Sequence, residues 1–294
     1  MDHGPTSQND RDYPLPIVVS HVQIAPLLQA HKAGAATALC SPDLGLSMVT
    51  VELTAQGVRF PNGELLCWDD AAAIADEENK CWTLRDGEID DIAFFSEQTH
   101  WMRTLFPTLS APTMLVSGIT MHRIKGVNPL EDTLRKIKTI APLRGRVLDT
   151  ATGLGYTAIE AAKTATEVVT IELDPAGLEV ARLNPWSRAL FTDPKIKQVV
   201  GDAYAEVPTF ADRSFARIIH DPPMFSMAGE LYSGAFYKQL YRVLKPNGRL
   251  FHYIGDLESA SNRSLVPGII RRLKEAGFKR VTRHNEAFGV VAEP

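Results

Sequence analysis

The sequence predicts an α/β protein: a doubly wound sheet in the second half of the chain, preceded by a smaller N-terminal α+β domain. Two observations carry this expectation. Residues 147–158, Val-Leu-Asp-Thr-Ala-Thr-Gly-Leu-Gly-Tyr-Thr-Ala, read as a strand end, a small-residue turn and the start of a helix. Gly153 and Gly155 supply the conformational freedom such a turn needs, and that strand–turn–helix opening places a ligand outside the strand ends. The second observation is that a polar residue closes each of four successive apolar strands: Asp149, Glu172, Asp202 and Asp221. Glu172 stands about 20 residues beyond the glycine turn, where an acid for a ribose is expected.

Taken in order, residues 1–14 are rich in Asp, Asn, Gln, Ser and Pro and read as a flexible tail with no signal-peptide core. Residues 15–120 read as the small α+β domain. Apolar spacing predicts a helix over 15–33, then short strands over 36–40, 46–53, 58–60 and 65–68, with Pro61-Asn62-Gly63-Glu64 as a turn. Asp69 is the expected cap of a helix ending near Lys80. Strands over 81–85 and 89–95 flank an Asp86-Gly87 turn, and a helix over 99–105 and a strand over 113–116 follow.

The second domain is expected over 121–294. Between the two lies Ser117-Gly118-Ile119-Thr120-Met121-His122-Arg123, where His122 and Arg123 are candidates to line a cleft, since ligand sites favour domain junctions. A solvated or structural His-Arg pair is the plain alternative. Asn128 as cap and Pro129 at the first helical position predict a helix over 129–140. Core strands follow at 146–149 and 167–171, then before Asp202 and before Asp221. A helix over 237–244 and the Lys245-Pro246-Asn247-Gly248 turn lead to a strand over 248–253. A helix over 265–276 and a closing hairpin of 279–284 with 288–292 end the chain.

Composition narrows the function. Of 294 residues 45% are hydrophobic and 22% charged, as in ordinary globular proteins. No apolar run has the roughly 18 residues of a membrane span, so no membrane partner is expected. Cys40, Cys67 and Cys81 make no Cys-x-x-Cys pair, so neither a disulfide framework nor a metal site is expected and a reducing cytoplasm is the default. The net charge of −4 conceals an asymmetry, because residues 1–110 hold 16 acids against 6 bases. That half repels a nucleic-acid backbone.

The set Asp149, Gly153, Gly155, Glu172, Gly201-Asp202 and Asp221-Pro222-Pro223-Met224-Phe225 resembles the class I S-adenosylmethionine-dependent methyltransferases, over roughly residues 129–294. One departure is Ala151, where the family's first glycine usually stands. The resemblance implies a seven-stranded sheet closed by an antiparallel hairpin, with S-adenosylmethionine as methyl donor. It implies that Asp149 pairs with the donor's ammonium and that the backbone of Ala151, Gly153 and Gly155 holds its methionine part. Glu172 would accept the ribose hydroxyls, Asp202 the adenine amine, and Ala203 would offer a backbone N–H. Thr133 or Lys136 would meet the carboxylate.

Asp221-Pro222-Pro223-Met224-Phe225 resembles the Asp/Asn-Pro-Pro-aromatic motif of enzymes that methylate conjugated amino groups. There the acid and the first proline's carbonyl accept the target's N–H bonds, so Asp221 and Pro222 are the expected catalytic residues, with His220 a candidate proton acceptor. The resemblance is to a predicted-methyltransferase subfamily with this acceptor motif. Met224 departs from the stacking aromatic, leaving Phe225 to stack; with His122, Arg123 and Tyr232 these form the expected acceptor surface. A proline-stiffened turn is the plain reading. Three other readings stay open: an aminopropyltransferase using decarboxylated donor, an RNA base N-methyltransferase, and a non-catalytic binding module. The acceptor is a small molecule, a protein or RNA, and a homodimer through the N-terminal domain is a further expectation.

Overall fold

A computed structural model describes residues 16–294, without the side chains of residues 260–262; the tail expected over 1–14 lies outside it. The N-terminal part runs β1 (Ile17–Val19), α1 (His21–Lys32), β2 (Thr37–Cys40), β3 (Val49–Leu53), β4 (Gly57–Arg59), β5 (Leu65–Cys67), α2 (Trp68–Asp76), β6 (Trp82–Arg85), β7 (Glu88–Asp91), β8 (Ala93–Phe95), β9 (Met102–Phe106), β10 (Thr113–Val116) and β11 (Ile119–Thr120). These strands form three antiparallel sheets, ordered β2-β3-β4-β5, β1-β6-β7 and β11-β10-β9-β8.

Four expectations are corrected here. The helix placed over 15–33 begins only at His21, because Ile17–Val19 pair with β6. Ser20 and Gln23 then form a reciprocal capping box that fixes the helix start. The helix placed over 99–105 is instead β9, held between β8 and β10, and His100 at φ +58 interrupts any helical run. The single strand placed over 89–95 is two, β7 and β8, which join different sheets. Cys67, not Asp69, caps α2, its Sγ accepting from the Asp70 N–H.

The second part runs α3 (Pro129–Ile140), β12 (Arg146–Asp149), α4 (Tyr156–Ala162), β13 (Glu167–Glu172), α5 (Pro175–Leu183), α6 (Arg188–Thr192), β14 (Ile196–Val200), α7 (Ala203–Glu206), β15 (Phe215–His220), α8 (Gly234–Val243), β16 (Leu244–Tyr253), α9 (Ala260–Glu275), β17 (Arg280–His284) and β18 (Gly289–Glu293). Seven strands form one sheet ordered β14-β13-β12-β15-β16-β18-β17. The first five are parallel to one another, and β18 runs antiparallel to both β16 and β17. The Lys245–Gly248 turn is an outward loop within β16, since Phe215 faces Leu244 while Arg217 faces Arg249.

The continuous apolar runs of these strands follow from burial on both faces. Val147, Val168, Ile219, Phe251 and Val291 join one core, whereas their neighbours Leu148, Val169, Ile218, Leu250 and Val290 join the other. Ile92, Leu105, Ala111 and Met114 of the N-terminal part belong to the first of these cores. The β8–β11 sheet therefore shares this core with the seven-stranded half, and α5 lies against β8 and β9. Strand order reverses between β12 and β15, which opens a crevice at their carboxyl ends.

Candidate functional site

Asp149 ends β12 with its carboxylate fully buried. Oδ2 accepts from the hydroxyls of Thr157 and Thr170, each at 3.0 Å. Thr152 in turn donates to Thr170 at 2.7 Å. Oδ1 is buried with no hydrogen-bond partner. Burial pushes the carboxyl up to about 7, the two threonine bonds pull it back, and the nearby Asp221 adds to the rise.

The turn after Asp149 requires its glycines. Gly153 sits at φ +53, and a Cβ there would lie 2.6 Å from the Met121 sulfur; Gly155 sits at φ +78, and a Cβ there would lie 2.7 Å from Leu190 Cδ2. Gly153 donates its N–H to Glu172 Oε2 at 2.8 Å, and Asp174 donates its N–H to Oε1 at 3.0 Å. Each Glu172 oxygen thus keeps acceptor capacity, while burial raises its pKa against those bonds. Asp202 is exposed and caps α7 through Tyr204 N at 2.8 Å, beside the buried Ala203.

Asp221 follows β15. Its Oδ2 lies 2.7 Å from Lys136 Nζ, and Lys136 also lies 2.9 Å from Asp132 Oδ2, an oxygen with no bond of hydrogen-bond geometry. Arg123 pairs with Asp132 Oδ1, donates to the Glu286 carbonyl at 2.9 Å, and lies 4.0 Å over the Phe288 ring. Lys136 lies 4.4 Å over Tyr253. Burial pulls the Lys136 ammonium down, but Asp221 and Asp132 outweigh it and hold it above the ordinary lysine value. Burial raises the Asp221 pKa while Lys136 opposes that rise. Two acids therefore face two bases at this end of the crevice.

Other expected residues are committed elsewhere. Thr133 is buried and gives its hydroxyl to the Pro129 carbonyl at 3.0 Å. His122 accepts or donates at Thr113 Oγ1, 3.0 Å away, and stacks on Tyr156; burial, helped by Lys136, drives its pKa to about 3. His220 is corrected as a proton acceptor. It is fully buried, its Nε2 faces the Leu231 carbonyl at 3.0 Å, and its Nδ1 faces Thr150 Oγ1 at 2.7 Å. The carbonyl can only accept, so Nε2 carries the proton and Nδ1 takes the threonine hydroxyl. Burial holds the ring neutral, at about 3. It packs against His252 at 4.4 Å between centroids.

The loop after Asp221 presents Met224 and Phe225, each about half exposed. Tyr232 is buried, donates its hydroxyl to the Pro223 carbonyl at 2.9 Å, and meets Phe225 edge-on. The Pro222 carbonyl accepts no hydrogen bond among the described residues. The Asn184-Pro185-Trp186-Ser187 cluster is structural. Asn184 donates to Tyr156 and Ser187, Ser187 donates to the Leu154 carbonyl, and Trp186 donates to the Leu44 carbonyl at 3.0 Å. It ties the glycine turn to the N-terminal part.

Sequence reading missed Asp132 and Arg103. Asp132 and Lys136 are spaced one helical turn apart on the face that also buries Thr133 and Ile140, and two charges on a buried face were the available signal. Arg103 offered none, because its partner Asp174 is 71 residues away.

Residues 147–248 match the family described as Methyltransferase domain. This span carries an S-adenosylmethionine-dependent methyltransferase domain. Its methyl donor is S-adenosylmethionine. The chain is 46% identical over 236 residues to Uncharacterized protein MJ1233 of Methanocaldococcus jannaschii, covering 80% of each chain. It is also 30% identical over 129 residues to a polyamine aminopropyltransferase of Aeropyrum pernix, covering 42% of this chain and 39% of that one. Among solved structures, a spermidine synthase in complex with the transition-state analogue AdoDATO superposes with a TM-score of 0.56 at 20% identity, covering 70% of this chain and 75% of that one. The spermidine synthase of Thermotoga maritima gives 0.54 at 19%, covering 71% and 75%. These two likenesses show a shared fold. No helix among the described residues is long and apolar enough to cross a membrane.

Proposed function

We propose that this methyltransferase methylates a nitrogen of a compact acceptor held at Asp221-Pro222-Pro223. The observation that carries the reading is the division of labour in that turn. Tyr232 occupies the second proline's carbonyl, while the first proline's carbonyl and Asp221 Oδ1 have no hydrogen-bond partner among the described residues. Two unpartnered acceptors on consecutive residues of one turn suit a target that has N–H bonds to give.

The donor assignments have physical support. Asp149 carries a buried unpartnered oxygen, which suits an ammonium. Gly153 leaves room for a close backbone approach once Met121, whose flexible end lies against it, moves aside. Glu172 is oriented by two backbone bonds and retains lone pairs for the ribose hydroxyls. Asp202 keeps its second oxygen for the adenine amine while the first caps α7. The bound donor supplies a sulfonium methyl for in-line displacement. The protein holds the acceptor nitrogen in line and draws its N–H bonds away from the methyl carbon.

A second reading, aminopropyl transfer, is favoured by the named similarity to polyamine aminopropyltransferases. The charge balance weighs against it. Asp132 and Asp221 are offset by Arg123 and Lys136, and a dicationic polyamine calls for excess negative charge. Incubating the protein with labelled S-adenosylmethionine and separate RNA, protein and metabolite fractions tests the reading. Label on nitrogen of a small metabolite or a short exposed group is expected. Label on oxygen, sulfur or carbon overturns the nitrogen assignment, and consumption of putrescine with decarboxylated donor establishes the second reading.

A further inference from the structure

We infer that Arg103, on the N-terminal strand β9, is a positioning residue for Glu172, the carboxylate proposed to hold the donor's ribose: it holds Asp174, whose backbone N–H fixes Glu172. The inference rests on the assignment of Glu172 proposed above, and it gives the β8–β11 sheet a part in donor binding.

Arg103 Nη2 lies 2.6 Å from Asp174 Oδ2, with the two side chains 7% and 5% exposed. Nη2 also donates to Thr99 Oγ1 at 3.1 Å, and that hydroxyl lies 3.4 Å from the same Asp174 oxygen. The other Asp174 oxygen caps α5 through Ala176 N at 3.0 Å. Asp174 N–H then reaches Glu172 Oε1, and Gly153 N–H reaches Glu172 Oε2. One hydrogen-bonded line therefore runs from β9 through the start of α5 to the Glu172 carboxylate and the glycine turn.

Packing alone does not account for this arrangement. A buried ion pair rarely stabilises a fold more than well-packed apolar side chains would. Arg103 Nη1 is moreover buried without a partner, a cost that an apolar residue at the position would avoid. What the guanidinium adds is a fixed positive charge near Glu172, which opposes the rise in pKa that burial and the Asp174 carboxylate impose on that carboxyl. An anionic, immobile Glu172 is what two ribose hydroxyls require.

The test is calorimetric titration of the full chain with S-adenosylhomocysteine and with 5′-methylthioadenosine, which keeps the ribose and lacks the amino-acid part. Arg103→Met is expected to weaken both ligands by the same factor, about tenfold, as coupled neighbours do. Arg103→Lys retains most of the affinity. In a Glu172→Gln background, Arg103→Met changes affinity by less than about twofold, because the carboxylate it serves is gone. Asp174→Asn, which keeps the cap and removes the charge, reproduces the loss if Arg103→Met does not fold. Equal losses in both backgrounds, or a loss confined to S-adenosylhomocysteine, overturn the role of Arg103. Unchanged affinity in Glu172→Gln itself overturns the ribose assignment beneath it.

Discussion

Lys136 spends its ammonium on Asp221, 2.7 Å away and 85 residues later in the chain. The contact joins the helix before the first core strand to the turn after the fourth, and it sets the charge at the end of the crevice proposed for the acceptor. Lys136→Met leaves the Asp221 carboxylate without its counter-charge and removes one of two bases beside the fully buried Asp132. Loss of one partner from a buried pair costs roughly 3 kcal/mol. Chemical denaturation should show that loss, and Asp221→Asn in the Lys136→Met background should recover part of it.

Asp221→Ala addresses the chemistry. If the carboxylate positions the acceptor, turnover collapses while S-adenosylhomocysteine affinity stays within a factor of about three. A parallel collapse of donor affinity would place Asp221 in the donor site instead.

Glu172→Ala removes the charged acceptor proposed for the ribose hydroxyls. Donor affinity measured by calorimetry should fall by about 1–3 kcal/mol. A loss confined to the methionine part of the ligand would contradict the assignment.

Asp149 predicts a pH dependence of donor binding. Its carboxyl is raised from 3.8 to about 7, so the folded protein keeps a proton that the unfolded chain has already lost in that interval. The buried acid therefore contributes stability at low pH that disappears as pH rises through 7. An ammonium ligand favours the ionised form, so S-adenosylhomocysteine should bind more tightly as pH rises from 6 to about 7.5. Asp149→Asn should flatten that profile, and a wild-type profile already flat across this range would count against an ion pair with Asp149.

The two glycines of the turn should differ. At Gly153 an added methyl meets the movable end of Met121, leaving mainly the left-handed backbone penalty of roughly 1 kcal/mol. At Gly155 it meets the buried Leu190 as well. Thermal melts should rank Gly155→Ala below Gly153→Ala, whereas Gly153→Ala should be the more damaging to donor binding.

Much of the second half was legible because its signals are local. Asn128 and Pro129 mark the start of α3, and 129–140 is the helix found. The small-residue turn after Asp149 and the acids closing each strand survive as strand-end residues in the folded sheet. In the first half the same reasoning failed at 15–33 and 99–105. Short apolar runs there fit a helix or a strand equally well, and only pairing with β6, β8 and β10 decided between them.

The sequence by itself determined that this chain folds as a doubly wound sheet with a glycine turn and four strand-end acids, because periodicity and turn chemistry act within a few residues. It also pointed to Asp221-Pro222-Pro223 as the turn here proposed to hold the acceptor. Only the tertiary structure decided which polar groups remain available. It committed both nitrogens of His220, spent Thr133 on its own helix, and gave the second proline's carbonyl to Tyr232. It also brought Lys136 to Asp221 and Arg103 to Asp174. Those pairings span 85 and 71 residues, and no local pattern encodes them. Burial makes each charge depend on a partner supplied by another element, so the partner is fixed only when the sheets pack.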